Sequence, residues 1–147
     1  MKSLKINKVK AGTVDISLFD EERKITFAYE DDVIEHFIDL LDYIRSGFSD
    51  YFVVPMQAKE GLLLITVTNF GVLISFMDND KNVQTVFEDK KDFAMNLLAE
   101  VRDKEEALIM SPIHEEERDN CQGRVNYYRQ SLDRIENCFK NGRTFII

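Results

Sequence analysis

Residues 51 to 88 constrain the fold most. Four strand-like runs, "YFVVPM", "LLLITVT", "VLISFM" and "VQTVFE", follow one another with only "QAKEG", "NFG" and "DNDKN" between them. These separators are rich in turn-forming residues. Strand runs joined by turns this short imply an antiparallel meander. Pro55 withholds a backbone N–H, which marks the first run as an edge strand or one that ends near it.

The same reading extends backwards along the chain. "TVDISLF" alternates Val14, Ile16 and Leu18, and "KITFAYE" alternates Ile25, Phe27 and Tyr29, with the polar run "DEER" between them as a hairpin turn. "LKI" adds a short edge strand near the start. From Asp32 to Arg45 the period changes. Val33, Phe37, Leu40, Leu41 and Ile44, flanked by Ile34 and Ile38, form a helical stripe, and Gly47 is its stop. The last third is helical. Asp89 caps a helix with Asp92 three residues on, and Phe93, Leu97, Leu98 and Val101 supply its buried face. Ser111 as N-cap and Pro112 in the first turn start a long helix over 112–140, with Glu115, Glu116 and Glu117 near its positive end. Cys121, Val125, Tyr128, Leu132, Ile135 and Phe139 are its apolar stripe, and Asn141–Gly142 its end. The terminal "RTFII" docks on the core or pairs as a strand. The expected order is β-β-α-β-β-β-β-α-α, an α+β fold with one antiparallel sheet of about six strands and helices packed on one face.

At 147 residues, without a linker, repeat or low-complexity segment, the chain is expected to form a single domain, 1–147. A hydrophobic share of 44% with eleven phenylalanines fits a packed core. The net charge of −8 argues against a nucleic-acid binder, which needs a basic footprint, and against anionic membranes. The N-terminal basic residues precede no apolar run, and "GLLLITVTNFGVLISFM" is broken by Thr66, Thr68, Asn69 and Gly71, so neither a signal peptide nor a membrane span is read. Cys121 and Cys138, seventeen positions apart in one expected helix, would stand roughly 25 Å apart and cannot bridge. A reduced, cytoplasmic protein follows.

Motifs for chemistry are scarce. The glycines stand alone, with no phosphate-cradling loop and no dinucleotide fingerprint. "HEEER" at His114 places Arg118 where a zinc-protease helix needs its second histidine. "DNDKNVQTVFED" has Asp78, Asp80, Asn82 and Asp89 at calcium-loop positions, but Val83 where that loop requires glycine, so it reads as a polar hairpin turn. Cys121, on the apolar stripe, reads as a small core residue. No catalytic residue, metal ligand or cofactor is assigned.

The charge is unevenly placed. Residues 30 to 42 carry six acids and no base, leaving −2 for everything else, whereas residues 118 to 143 carry six bases and three acids. On a helical wheel of roughly 100° per residue, Asp32, Glu35, His36, Asp39, Asp42 and Tyr43 share an arc opposite the apolar stripe. Like charges three and four apart oppose a helix by roughly 0.2–0.5 kcal/mol each. No lysine or arginine interleaves before Arg45. Clustered charge of this kind steers association with an oppositely charged protein, and it is also what a merely solvated face displays. The six residues are taken as the candidate partner-binding surface, with Tyr43 as an aromatic anchor at its edge.

The acidic helix over 31–45, the meander "GLLLITVTNFGVLISFMDNDKNVQTVFED" and the directly following "KKDFAMNLLAEV" together resemble, in layout over residues 14 to 102, the small acidic immunity proteins of bacterial polymorphic and contact-dependent toxin systems. The resemblance implies a cytoplasmic, non-enzymatic protein that binds and neutralises a cognate toxin, often a nuclease with a basic cleft. It carries over no individual functional residue. Two other readings stay open. One is a small-molecule-binding or enzymatic α+β domain with a pocket near His114, Tyr127 or Cys121. The other is a homo-oligomeric module that uses a sheet edge or the C-terminal helix.

Overall fold

The computed structural model describes residues 2–28, 31–47 and 50–141. Tyr29, Glu30, Gly142 and the terminal "RTFII" lie outside the described residues. The fold is α+β, as expected, but the strands form two antiparallel sheets rather than one. The first sheet contains β1 (Leu4–Lys10), β2 (Thr13–Leu18) and β3 (Arg23–Phe27) in that order. The second contains β4 (Phe52–Gln57), β5 (Gly61–Val67), β6 (Val72–Asp78) and β7 (Val83–Glu88), again in chain order. The meander is therefore as the turn chemistry requires, and β4, which carries Pro55, is an edge. β1 is longer than the "LKI" segment because pairing with β2 continues past a bulge between Ile6 and Lys8.

Helix α1 (Val33–Ser46) connects the two sheets, and α2 (Lys90–Asp103), α3 (Glu105–Met110) and α4 (Gln122–Lys140) follow them. Asp89 caps α2 as expected, its carboxylate accepting the Asp92 N–H at 3.0 Å. Gly47 closes α1 with a left-handed φ of 72°, its N–H donating to the Ile44 carbonyl. The long helix expected over 112–140 is corrected. Ser111 does not cap a helix that begins there. It ends α3, its hydroxyl donates to the Lys10 carbonyl at 3.1 Å, and its own carbonyl accepts the Gly12 N–H. A hydroxyl committed to the β1–β2 turn cannot also cap an N-terminus. A 3-10 segment, Glu115–Asn120, intervenes, and α4 starts only at Gln122. Cys121 consequently sits before the helix and is half-buried, while Val125, Tyr128, Leu132, Ile135 and Phe139 are buried on the expected stripe.

Each sheet buries one face. Leu4, Ile6, Val14, Ile16, Ile25 and Phe27 from the first, and Val54, Met56, Leu63, Ile65, Ile74 and Phe76 from the second, join the helix stripes in one continuous core. α1 lies at its centre, packed on α2, α4 and β4, with Phe37, Leu40 and Leu41 fully buried. Arg102 of α2 ties the C-terminal helices together through Glu105, Asp133 and Glu136.

The opposite face of the second sheet faces outward in three cross-strand rows. Val53, Thr66, Leu73 and Phe87 form one, Pro55, Leu64, Ser75 and Thr85 the next, and Gln57, Leu62, Met77 and Val83 the third. None of the twelve residues is charged.

Candidate functional site

The six residues singled out on α1 do not form one open surface. Helix α4 crosses the N-terminal half of their arc. Arg124 reaches Asp32 with both terminal nitrogens, at 2.9 and 3.2 Å, while its Nε donates to the Ile109 carbonyl at 2.7 Å and its guanidinium lies 4.7 Å from the centre of the Tyr128 ring. Asp32 precedes the helix but makes no capping bond, because its carboxylate is taken by this fork. Tyr128 donates its hydroxyl to Glu35 Oε2 at 2.5 Å. Burial, then the Glu35 bond, then the charge of Asp32 raise the Tyr128 phenol well above its ordinary range, against the opposing charge of Arg124. Asp32 and Glu35, expected on an open outward face, are half-buried in the polar seam between α1 and α4. The wheel placed them opposite the apolar stripe, but α1 is packed on more than one side.

The C-terminal half of the arc stays on the surface. Asp39 is exposed and, among the described residues, forms no ion pair. Partial desolvation and the negative charge of Glu35, with a smaller effect from Asp42, raise its pKa, and only His36 opposes them. His36 itself is half-buried, one turn before Asp39. Asp42 is bonded to Arg45, at 2.8 Å to Nε and 2.7 Å to a terminal nitrogen, so this pair carries no net charge. The Tyr43 ring stacks on Phe52 at 4.6 Å with 11° between planes, and its hydroxyl donates to the Asp50 carbonyl. Asp39, Asp42, Tyr43, Arg45, Ser46 and Phe52 line an open cleft of about 560 Å³ between α1 and the edge strand β4. Phe52 and Arg45 were not foreseen as site residues. The sole sequence signal for Phe52 was its place in the first run of the meander.

The cleft combines an unpaired carboxylate, a surface aspartate–arginine pair and an aromatic wall. Such a surface holds a cation against a π-face and a carboxylate at once. The residues of the enzymatic reading do not converge. His114 is exposed, Tyr127 is 60% exposed and edge-on to Tyr128, and Cys121 lies between the 3-10 segment and α4. Asp78 is engaged as a turn residue, accepting the N–H groups of Asp80 and Asn82 at 2.9 and 3.0 Å, which with its nearness to Arg23 lowers its pKa. Among the described residues no group of three or more His, Cys, Asp or Glu side chains is placed to hold a metal ion. No helix among them is long and apolar enough to cross a membrane.

Comparison with known proteins finds no matching family model, no similar curated protein and no similar solved structure.

Proposed function

We propose that this chain is a non-enzymatic protein-binding module whose partner presents a basic side chain to the cleft between α1 and β4. Asp39 carries the reading. It is a carboxylate kept on the surface although its surroundings oppose its charge. A residue that costs stability where asparagine would relieve the cost is the kind retained for recognition rather than for folding. Asp42 and Arg45 orient a bidentate contact, and Tyr43, already stacked on Phe52, offers a rigid aromatic wall at small entropic cost. Asp32, Glu35 and His36 contribute from behind, Asp32 and Glu35 by fixing the helix.

The partner class comes from the layout resemblance to immunity proteins, which suggests a basic, nuclease-like toxin that this chain neutralises inside the cell. The test is capture from cells of the source organism with wild-type chain and with D39K/D42K as paired baits. A basic protein held by the wild type and lost from the folded variant supports the reading. A partner that both baits retain equally, or one that is acidic at its contact, refutes it.

A further inference from the structure

An open sheet edge offers unpaired backbone groups to another strand, and folded chains guard such edges with proline, lysine, bulges or cover. The two sheets have four edges, and three are guarded. β1 carries Lys5, Lys8 and Lys10 and a bulge. β3 is covered by the β4–β5 turn: Lys59 donates its N–H to the Thr26 carbonyl at 3.0 Å, and Thr26 donates its own to Glu60 Oε1 at 2.7 Å. On β4, Ala58 donates to the Gly61 carbonyl at 2.8 Å, so by alternation Met56 and Val54 bond to β5 and Pro55 faces the open side. β7 has no such guard. From Val83 to Phe87 it holds neither a charge nor a proline, and its register with β6 is unbroken. The edge is also open: Val83 is 63% and Phe87 55% exposed, with Gln84 and Thr85 exposed between them.

The outward groups follow from the same alternation. Asp78 donates its N–H to the Asn82 carbonyl at 2.9 Å. The hydrogen-bonded pairs beyond it are therefore Phe76–Gln84, Ile74–Val86 and Val72–Glu88. Val83, Thr85 and Phe87 turn their N–H and C=O groups the other way, and among the described residues nothing bonds to them. We propose that this edge pairs with β7 of a second copy, antiparallel about a two-fold axis at Thr85, to give one sheet continuous across both chains. The strand's own order selects that occupant. With Thr85 opposite Thr85, Val83 falls opposite Phe87 at both ends, so every outward N–H and C=O of the three residues finds a partner. A slip of one residue sets outward groups against inward ones, and a slip of two leaves an end unpaired. Thr–Thr and aromatic–branched pairs are favourable cross-strand contacts. Beyond the strands, the same register brings Lys81 towards Asp89 of the second copy, a pair of opposite charge. A basic partner of the kind suited to the α1–β4 cleft finds no carboxylate between Val83 and Phe87 to hold it.

The experiment is sedimentation velocity of the full chain from about 10 to about 500 μM, with T85P, T85K and T85E alone and with T85K and T85E mixed. Thr85 is exposed and its N–H lies on the open side, so none of these changes touches the core or the β6 ladder. Circular dichroism verifies that each variant is folded. Wild type is expected to move from monomer towards dimer with concentration. T85P, lacking the central N–H, is expected to stay monomeric. So are T85K and T85E, because the axis sets each charge against itself. Their equimolar mixture is expected to regain a dimer, because only a residue that faces its own copy turns two repulsions into one attraction. A wild type that stays monomeric throughout overturns the proposal. So does a dimer that survives T85P, or a mixture no more associated than either variant alone.

Discussion

Tyr128→Phe isolates the contact that turns part of the acidic arc into structure. The substitution removes one hydroxyl from a side chain only 6% exposed and leaves Glu35 Oε2 without the donor it holds at 2.5 Å. A hydrogen bond to a charged group is worth about 1.5–3 kcal/mol net. Glu35 is only half-buried, so water regains part of that, and the loss should be about 1–2 kcal/mol. For a chain of this length, that lowers Tm by about 3–6 °C. The assay is urea unfolding of the wild type, Y128F, E35A and the double variant. If Glu35 and Tyr128 act on each other, their two losses do not add, and the coupling is about 1 kcal/mol. Alkaline titration supplies a second readout. The folded phenol has a raised pKa, so its contribution is fully present below the unfolded value near 10 and is lost as pH rises through the folded value. Wild type and Y128F should therefore converge in stability as pH rises above about 10. A Y128F loss under about 0.5 kcal/mol, or strictly additive losses, would refute the view that α4 has claimed this half of the helix face.

Other outcomes follow from the same geometry. D39N should melt at or above the wild-type temperature at neutral pH. The raised pKa means the folded state holds the Asp39 proton more tightly, so its favourable contribution exists below the ordinary aspartate value of about 3.9 and is lost as pH rises through the folded value; the difference between the proteins should close as pH falls towards about 4, followed by thermal scans across pH. G61A should cost about 1–3 kcal/mol in denaturant unfolding, because a Cβ there would stand 2.2 Å from the Met77 carbonyl oxygen and 2.8 Å from the Asp78 Cα. D89A should cost about 1 kcal/mol by losing the α2 cap, and D89N close to nothing, since asparagine caps as well; differential scanning calorimetry separates the two.

Local chemistry was legible where one residue decides. The meander order, the α1 stop at Gly47 and the α2 cap at Asp89 each follow from a turn or cap requirement within a few residues. Partition into two sheets was not legible, because strand alternation fixes which face is buried and not which neighbouring sheet a strand joins. The role of the Ser111–Pro112 pair escapes local rules for the same reason. Its hydroxyl partner, the Lys10 carbonyl, lies about a hundred residues away in sequence, and no local rule sees it. The division of the acidic arc is of this kind as well. The wheel gives angles around α1, but Arg124 and Tyr128 arrive from α4. A signal existed in the excess of bases over residues 118 to 143, opposite in sign to the helix it packs against. It shows that the second segment can offset part of the charge of the first, without showing which carboxylates it reaches.

If recognition falls to the cleft between α1 and β4, Asp39 and Asp42 govern the encounter with a basic partner, and Asp32 and Glu35, bonded to α4, do not. The most direct measurement is the association rate of a captured partner with wild type and with D39K/D42K, at low and at physiological salt. Reversing the unpaired Asp39 and breaking the Asp42–Arg45 pair, which leaves Arg45 uncompensated, should slow association of a basic partner by at least about tenfold at low salt, flatten its salt dependence and lower stability by no more than a surface ion pair is worth, about 0–1 kcal/mol. Equal rates for the two proteins at both salt concentrations would contradict it.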